Sequence, residues 1–169
     1  KEDGIAVLTL HRPDKMNAFT GKMMQEMIAA FDETDKDDDI KVVIVTGSGE
    51  RAFCAGADLS EGAKTFDYDA RASSGEAGRT DKTDIQRDGG GRVTLRIFES
   101  LKPVIGAING AAVGIGVTMQ LPMDARLSSV DARLGFVFAR RGTTPSRRTD
   151  YMEALSQNSN QSFEALSPS

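Results

Sequence analysis

GAAVGIGVTMQ, residues 110–120, spaces three glycines through a turn that runs straight into an apolar stretch. A turn of this composition lets backbone N–H groups approach a phosphate or a developing oxyanion. Behind it stand Val117, Thr118 and Gln120, so the chemistry at this place depends on whether any of them can move a proton. Immediately upstream, Pro103 to Asn109 (PVIGAIN) reads as a strand feeding the turn. A second glycine-bearing turn, FCAGADLSEG at residues 53–62, follows another strand, the β-branched run Val42–Thr46. Two such turns side by side can offer two N–H donors to one oxygen, which is the arrangement of an oxyanion hole.

Outward from these turns, buried strands alternate with amphipathic helices, the pattern of an α/β domain. Ile5 to Leu10 is a compact apolar run closed by Pro13-Asp14 and reads as a buried strand. Met24, Met27, Ile28 and Phe31 recur at helical spacing with Thr20 placed to cap, and this stripe is read as core. Asp37-Asp38-Asp39 ends that helix as a solvated loop. Residues 60–92 are polar, rich in Gly, Ser and Asp, and read as a long mobile loop of the kind that serves as an active-site lid. Val93 to Leu101 reads as a helix, and Ala125–Val130 and Leu134–Phe138 as two short strands. The domain is placed at residues 1–142. Residues 143–169 change character and read as a largely disordered tail.

Composition removes several function classes. The 169 residues carry a net charge of −4 with a pI of about 5.1, which argues against nucleic acid or an anionic membrane surface as a partner. No apolar run reaches membrane length. The single cysteine, Cys54, cannot form an internal disulfide and fits a reducing, intracellular compartment, with cytoplasm, mitochondrion and peroxisome not distinguished. With one cysteine and one histidine, a His/Cys zinc site lacks ligands, so no metal is expected. That histidine, His11, ends an early strand and is read as structural and not as part of a Ser-His-Asp triad. Gly47, Gly49 and Ala52 satisfy the dinucleotide pattern G-x-G-x-x-A. The pattern requires the turn to open into a helix, and Ala52-Phe53-Cys54-Ala55-Gly56 intervenes instead.

Three blocks carry a family resemblance: GIAVLTLHRPDKMNAF, VVIVTGSGERAFCAGADL and KPVIGAINGAAVGIGVTMQLPMDARLSSVDARLGF. In this order and spacing they resemble the crotonase, or enoyl-CoA hydratase/isomerase, family over most of residues 4–142. The resemblance implies an α/β fold, a spiral of ββα units, and a thioester substrate in which coenzyme A is part of the substrate and no separate cofactor is bound. It implies that the backbone N–H groups of Ala57 and Ile115 polarise the thioester carbonyl. It also places Lys15, Met16, Asn17 and Ala18 at the adenine side, and Ala55, Gly56, Asp58 and Leu59, together with Gly114, along the substrate. The family usually has glycine where Ile115 stands; isoleucine keeps the donor but excludes positive φ. Asp58 also suits a helix N-cap.

The resemblance has two breaks. The family's hydratases use two glutamates, and those positions are Thr118 and Phe138 here, neither of which can act as a general base. Isomerase or hydrolase chemistry is therefore expected ahead of hydration, or a non-catalytic chain that binds acyl-CoA weakly or serves as an assembly partner. Asp67, Asp69, Asp84, Asp88 and Tyr68 are the replacement acids the sequence offers, each read first as a surface group. After Gly142 the similarity stops, as a shifted reading frame, a retained intron or a truncation would cause. The family's C-terminal helices, and with them the homotrimer or hexamer the family implies, are then expected to be missing, leaving apolar surface uncovered.

Overall fold

The computed structural model describes residues 1–60 and 88–136. Its strands are β1 (Ile5–Leu10), β2 (Val42–Gly47), β3 (Ala52–Cys54), β4 (Val104–Ile108), β5 (Ala111–Val113), β6 (Ala125–Ser128) and β7 (Leu134–Gly135). Its helices are α1 (Gly21–Lys36), α2 (Gly89–Phe98) and the single turn α3 (Ile115–Thr118), with a 3-10 turn at Pro13–Lys15. β1-β2-β4-β6 form one parallel sheet and β3-β5-β7 a second, smaller parallel sheet. Each successive turn of chain thus gives one strand to each sheet: β2 then β3, β4 then β5, β6 then β7. That is the expected spiral. Among the described residues no helix follows β7.

The corner between the two sheets explains the glycines there. A Cβ on Gly47 would stand 2.6 Å from the carbonyl oxygens of both Ala52 and Phe53, and one on Gly110 would stand 2.8 Å from the Ala52 nitrogen. Only bare backbone fits where the chain leaves one sheet for the other. Asn109 locks the corner: its Oδ1 accepts from the Gly47 N–H at 3.1 Å, and its Nδ2 donates to the Gly47 carbonyl at 2.9 Å. The G-x-G-x-x-A match therefore marks a strand-to-strand corner, since Ala52 opens β3 and not a helix.

The core lies between the inner face of the large sheet and α1 and α2. Val43, Val45, Val104 and Ile108 meet Met24, Met27, Phe31, Val93 and Ile97, all buried. The methionine stripe is core, as its spacing predicts, and each fully buried side chain of this size contributes about 1.5–3 kcal/mol relative to exposure. Thr20 caps α1 by accepting from the Met23 N–H at 3.2 Å. Arg96 of α2 donates to Asp32 and Asp35 of α1 and lies 5.8 Å over the Phe31 ring, which ties the two helices together.

Three expectations need correction. Residues 60–92 are not one loop, because Gly89–Arg92 already belong to α2. Its first turn is three glycines, poor helix formers, and it is held by the Asp88 carboxylate accepting from the Gly91 N–H at 2.6 Å. α2 then ends at Phe98, three residues before Leu101. Strands β3 and β5, three residues each, were hidden inside what the sequence presents as turns. Residues 61–87 of the expected loop, the tail at 143–169, and with them Asp67, Tyr68, Asp69, Asp84 and Phe138, lie outside the described residues. Val7, Leu127 and Leu134 are 59%, 68% and 56% exposed, so apolar side chains do face outward on β1, β6 and β7.

Candidate active site

The two glycine turns leave adjacent strands of the small sheet and touch. β3 pairs with β5, placing Cys54 opposite Ala112. Beyond that pair, a Cβ on Gly56 would lie 3.2 Å from the Val113 carbonyl oxygen, and one on Gly116 only 2.2 Å from the Cys54 carbonyl oxygen. Residues 54–57 and 113–116 are therefore packed backbone against backbone. Gly56 takes φ +103° and Gly114 φ +55°, both in the region that favours glycine.

This packing leaves specific donors open. Phe19 and Ala57 form a parallel bridge in which Phe19 N–H donates to the Gly56 carbonyl and Asp58 N–H donates to the Phe19 carbonyl, each at 2.8 Å. In a parallel bridge the central residue directs its own N–H to the other side. Among the described residues, the Ala57 N–H meets no protein acceptor. Ile115 is the first residue of α3, where helix N–H groups have no intrahelical partner, and its N–H likewise meets none. The positive φ that the turn needs is carried by Gly114, so Ile115 sits in the turn without backbone strain.

The adenine-side candidates divide. Lys15 and Met16 are exposed, and the Met16 carbonyl accepts from the Ala55 N–H at 3.0 Å, so this loop is fastened to the first glycine turn. Asn17 is fully buried. Its Oδ1 accepts from the Arg12 N–H and the Ser48 hydroxyl, and its Nδ2 donates to the Ser48 and Ala52 carbonyls, at 2.8–3.1 Å. That uses every bond an asparagine amide can make, so the Asn17 side chain is a fastener of the scaffold and not a ligand contact. The Ala18 carbonyl accepts from Arg12 Nη1 at 2.7 Å. The same Arg12 nitrogen pairs with Asp58 at 2.8 Å. The Ser60 hydroxyl and N–H, then Arg12, hold the Asp58 carboxyl down at about 2. Leu59 is 42% exposed beside it.

Proton-moving groups are scarce. Thr118 is buried, and its hydroxyl has no hydrogen-bond partner among the described residues. Gln120 is buried and donates back to the Gly116 carbonyl, which stiffens the turn. Asp88 is occupied as the α2 cap. Burial pushes the Cys54 thiol up to about 11, so it carries no thiolate at neutral pH. No group of three or more metal-ligating side chains occurs among the described residues, and no helix described is long and apolar enough to cross a membrane.

The pattern of the enoyl-CoA hydratase/isomerase family matches residues 1–155, past the Gly142 boundary expected from the sequence. The chain belongs to that family. It is 43% identical over 149 residues to the enoyl-CoA hydratase ACTT3 of Alternaria alternata, covering 88% of this chain and 46% of that protein. To the short-chain-enoyl-CoA hydratase of Clostridium acetobutylicum it is 35% identical over 145 residues, 86% of this chain and 51% of the relative. Among solved structures, a probable enoyl-CoA hydratase/isomerase from Mycobacterium abscessus superposes with a TM-score of 0.73 at 33% identity, covering 92% of this chain and 54% of that one. The chain thus spans about half the length of the family members it matches. Membership accounts for the spiral and for acyl-CoA chemistry as the family's class.

Proposed function

We propose that the chain binds an acyl-CoA thioester and polarises its carbonyl with the N–H groups of Ala57 and Ile115. The observation that carries this is a pair of donors, without an acceptor among the described residues, on two turns locked backbone to backbone. A thioester oxygen received there gains negative charge on enolisation or on nucleophilic addition, and two preorganised donors stabilise that charge by several kcal/mol. Coenzyme A enters as part of the substrate, with Lys15 and Met16 at its adenine end and Gly114, Ala55 and Leu59 beside the thioester arm. Thr118 offers no carboxylate, so isomerase- or hydrolase-type turnover is favoured over two-glutamate hydration.

A second reading, binding without turnover, is favoured by the acids beside the site. Asp58 is held by Arg12 and Ser60, and Asp88 caps α2, so neither is free to shuttle protons. Turnover of any thioester decides between the two.

The test is a thermal melt with a millimolar panel of acyl-CoA thioesters and, as a control, NAD. Saturation at a hundredfold over Kd adds about 2.7 kcal/mol, so the transition is expected to rise with thioesters and to stay put with NAD. A cooperative transition that no thioester moves would sink the proposal. Where turnover is found, Ala57→Pro removes one donor and is expected to lower kcat by about a hundredfold or more.

A further inference from the structure

We infer that the Ile115 side chain is a specificity wall that excludes acyl groups branched at the α carbon; this rests on the thioester reading above. The residue that offers the N–H also carries a β-branched side chain, attached one atom away from that nitrogen. A carbonyl oxygen accepting from the N–H sits about 2.9 Å from it. The carbon next to that carbonyl then lies within van der Waals reach of the isoleucine.

The surroundings fix which arm of the thioester meets this wall. On one flank of the turn, a Cβ built on Gly114 meets no atom of the described residues within 4 Å, so among them that side is open. On the other flank, the Ile115 side chain runs into the first turn of α2. Its Cδ1 and Cγ1 stand 2.8 Å and 3.4 Å from where a Gly90 Cβ would be. Glycine is a poor helix former, and at position 90 it leaves room for the isoleucine. The long pantetheine arm leaves by the open Gly114 flank. The acyl arm is therefore directed at Ile115, which cannot move back because α2 is behind it. A methyl on the α carbon would have to share the space Ile115 fills.

Butyryl-CoA and isobutyryl-CoA are isomers that differ only in this branch. Calorimetric titration of the 169-residue chain with each, and with CoA alone, reads the wall directly. The unsubstituted chain is expected to bind butyryl-CoA at least tenfold tighter than isobutyryl-CoA. Ile115→Ala is expected to bring that ratio within threefold, and Gly90→Ala, which pushes Cδ1 off α2 toward the carbonyl, to steepen it. If Ile115→Ala does not fold, Ile115→Val removes the Cδ1 methyl alone and is expected to give an intermediate ratio. Equal affinity for the two isomers in the unsubstituted chain, or a ratio unmoved by the Ile115 variants, would overturn the inference while leaving the thioester site intact. Binding of neither isomer would overturn the site, and the wall with it.

Discussion

Asn17 bonds to β3 and the Ala57–Ile115 pair lies at the turns beyond it, and the two places treat polar groups in opposite ways. At Asn17 every donor and acceptor of the amide is matched, in a place with no exposure. At the paired turns, two N–H groups are held in position with no acceptor among the described residues. The first region spends hydrogen bonds to fix geometry, and the second uses that geometry to keep donors in reserve. Preorganisation of this sort is inexpensive during a reaction because the ordering is done on folding.

The contrast breaks most readily at Asn17. Asn17→Ala strands the Arg12 N–H and the Ala52 carbonyl, with part of the Ser48 bonding lost as well. At about 1–3 kcal/mol for each buried group left unmatched, a loss of about 4 kcal/mol is expected in urea unfolding. A loss under about 1 kcal/mol would mean that water reaches the pocket, and that the corner is not the rigid part of the molecule.

Next in size is Gly116→Ala. The added methyl would meet the Cys54 carbonyl oxygen at 2.2 Å, a backbone atom that cannot rotate away. The two turns would have to part, at an expected cost of about 3 kcal/mol, with thioester binding lost in the same variant. Gly114→Ala makes the natural control for space, since nothing among the described residues stands within 4 Å of its Cβ, although its φ of +55° adds backbone strain. Near-neutral stability in Gly116→Ala would show that the turns are not locked.

These two regions were unequally legible in the sequence. The glycine turns announced themselves, because glycine spacing after a strand has few other uses, and Thr20 with the Met24–Phe31 stripe marked α1 correctly. Asn17 was visible only as a member of a ligand loop, because asparagine after a proline turn looks like turn chemistry whether it faces solvent or the core. Asn109 was absorbed into a strand end for the same reason. β3 and β5 escaped because three residues show no alternation. Gly89–Gly91 passed for loop because their helical state is imposed from outside, by the Asp88 cap and by contacts of Met24 and Ile115 that no local pattern records.

A smaller effect tests how the reserve region is anchored. Asp58 joins the first turn to Arg12, and its carboxyl is held at about 2 by Ser60 and Arg12. Because its folded pKa lies below the unfolded value of about 3.9, the stabilisation is complete above pH 4 and drains away as pH falls through about 2. Partial exposure of both partners limits the effect to about 1 kcal/mol. Stability curves of the unsubstituted chain and Asp58→Asn should therefore converge between pH 4 and pH 2. Parallel curves across that window would mean that the pairing does not hold the turn in solution.

The smallest expected change sharpens the comparison furthest. Thr118 is 3% exposed with a hydroxyl that bonds to nothing among the described residues, the reverse of Asn17. Thr118→Val keeps the shape and removes a hydroxyl that bonds to nothing among the described residues. Stability is therefore expected to stay within about 0.5 kcal/mol of the unsubstituted chain, since no partner is stranded. A fall of about 1 kcal/mol or more would mean that the hydroxyl is bonded after all, and Thr118 would belong with Asn17 in the scaffold. Level stability combined with weaker butyryl-CoA binding would give the hydroxyl to the ligand. The site would then hold three donors in reserve, two from the backbone and one from a side chain that no fold requirement explains.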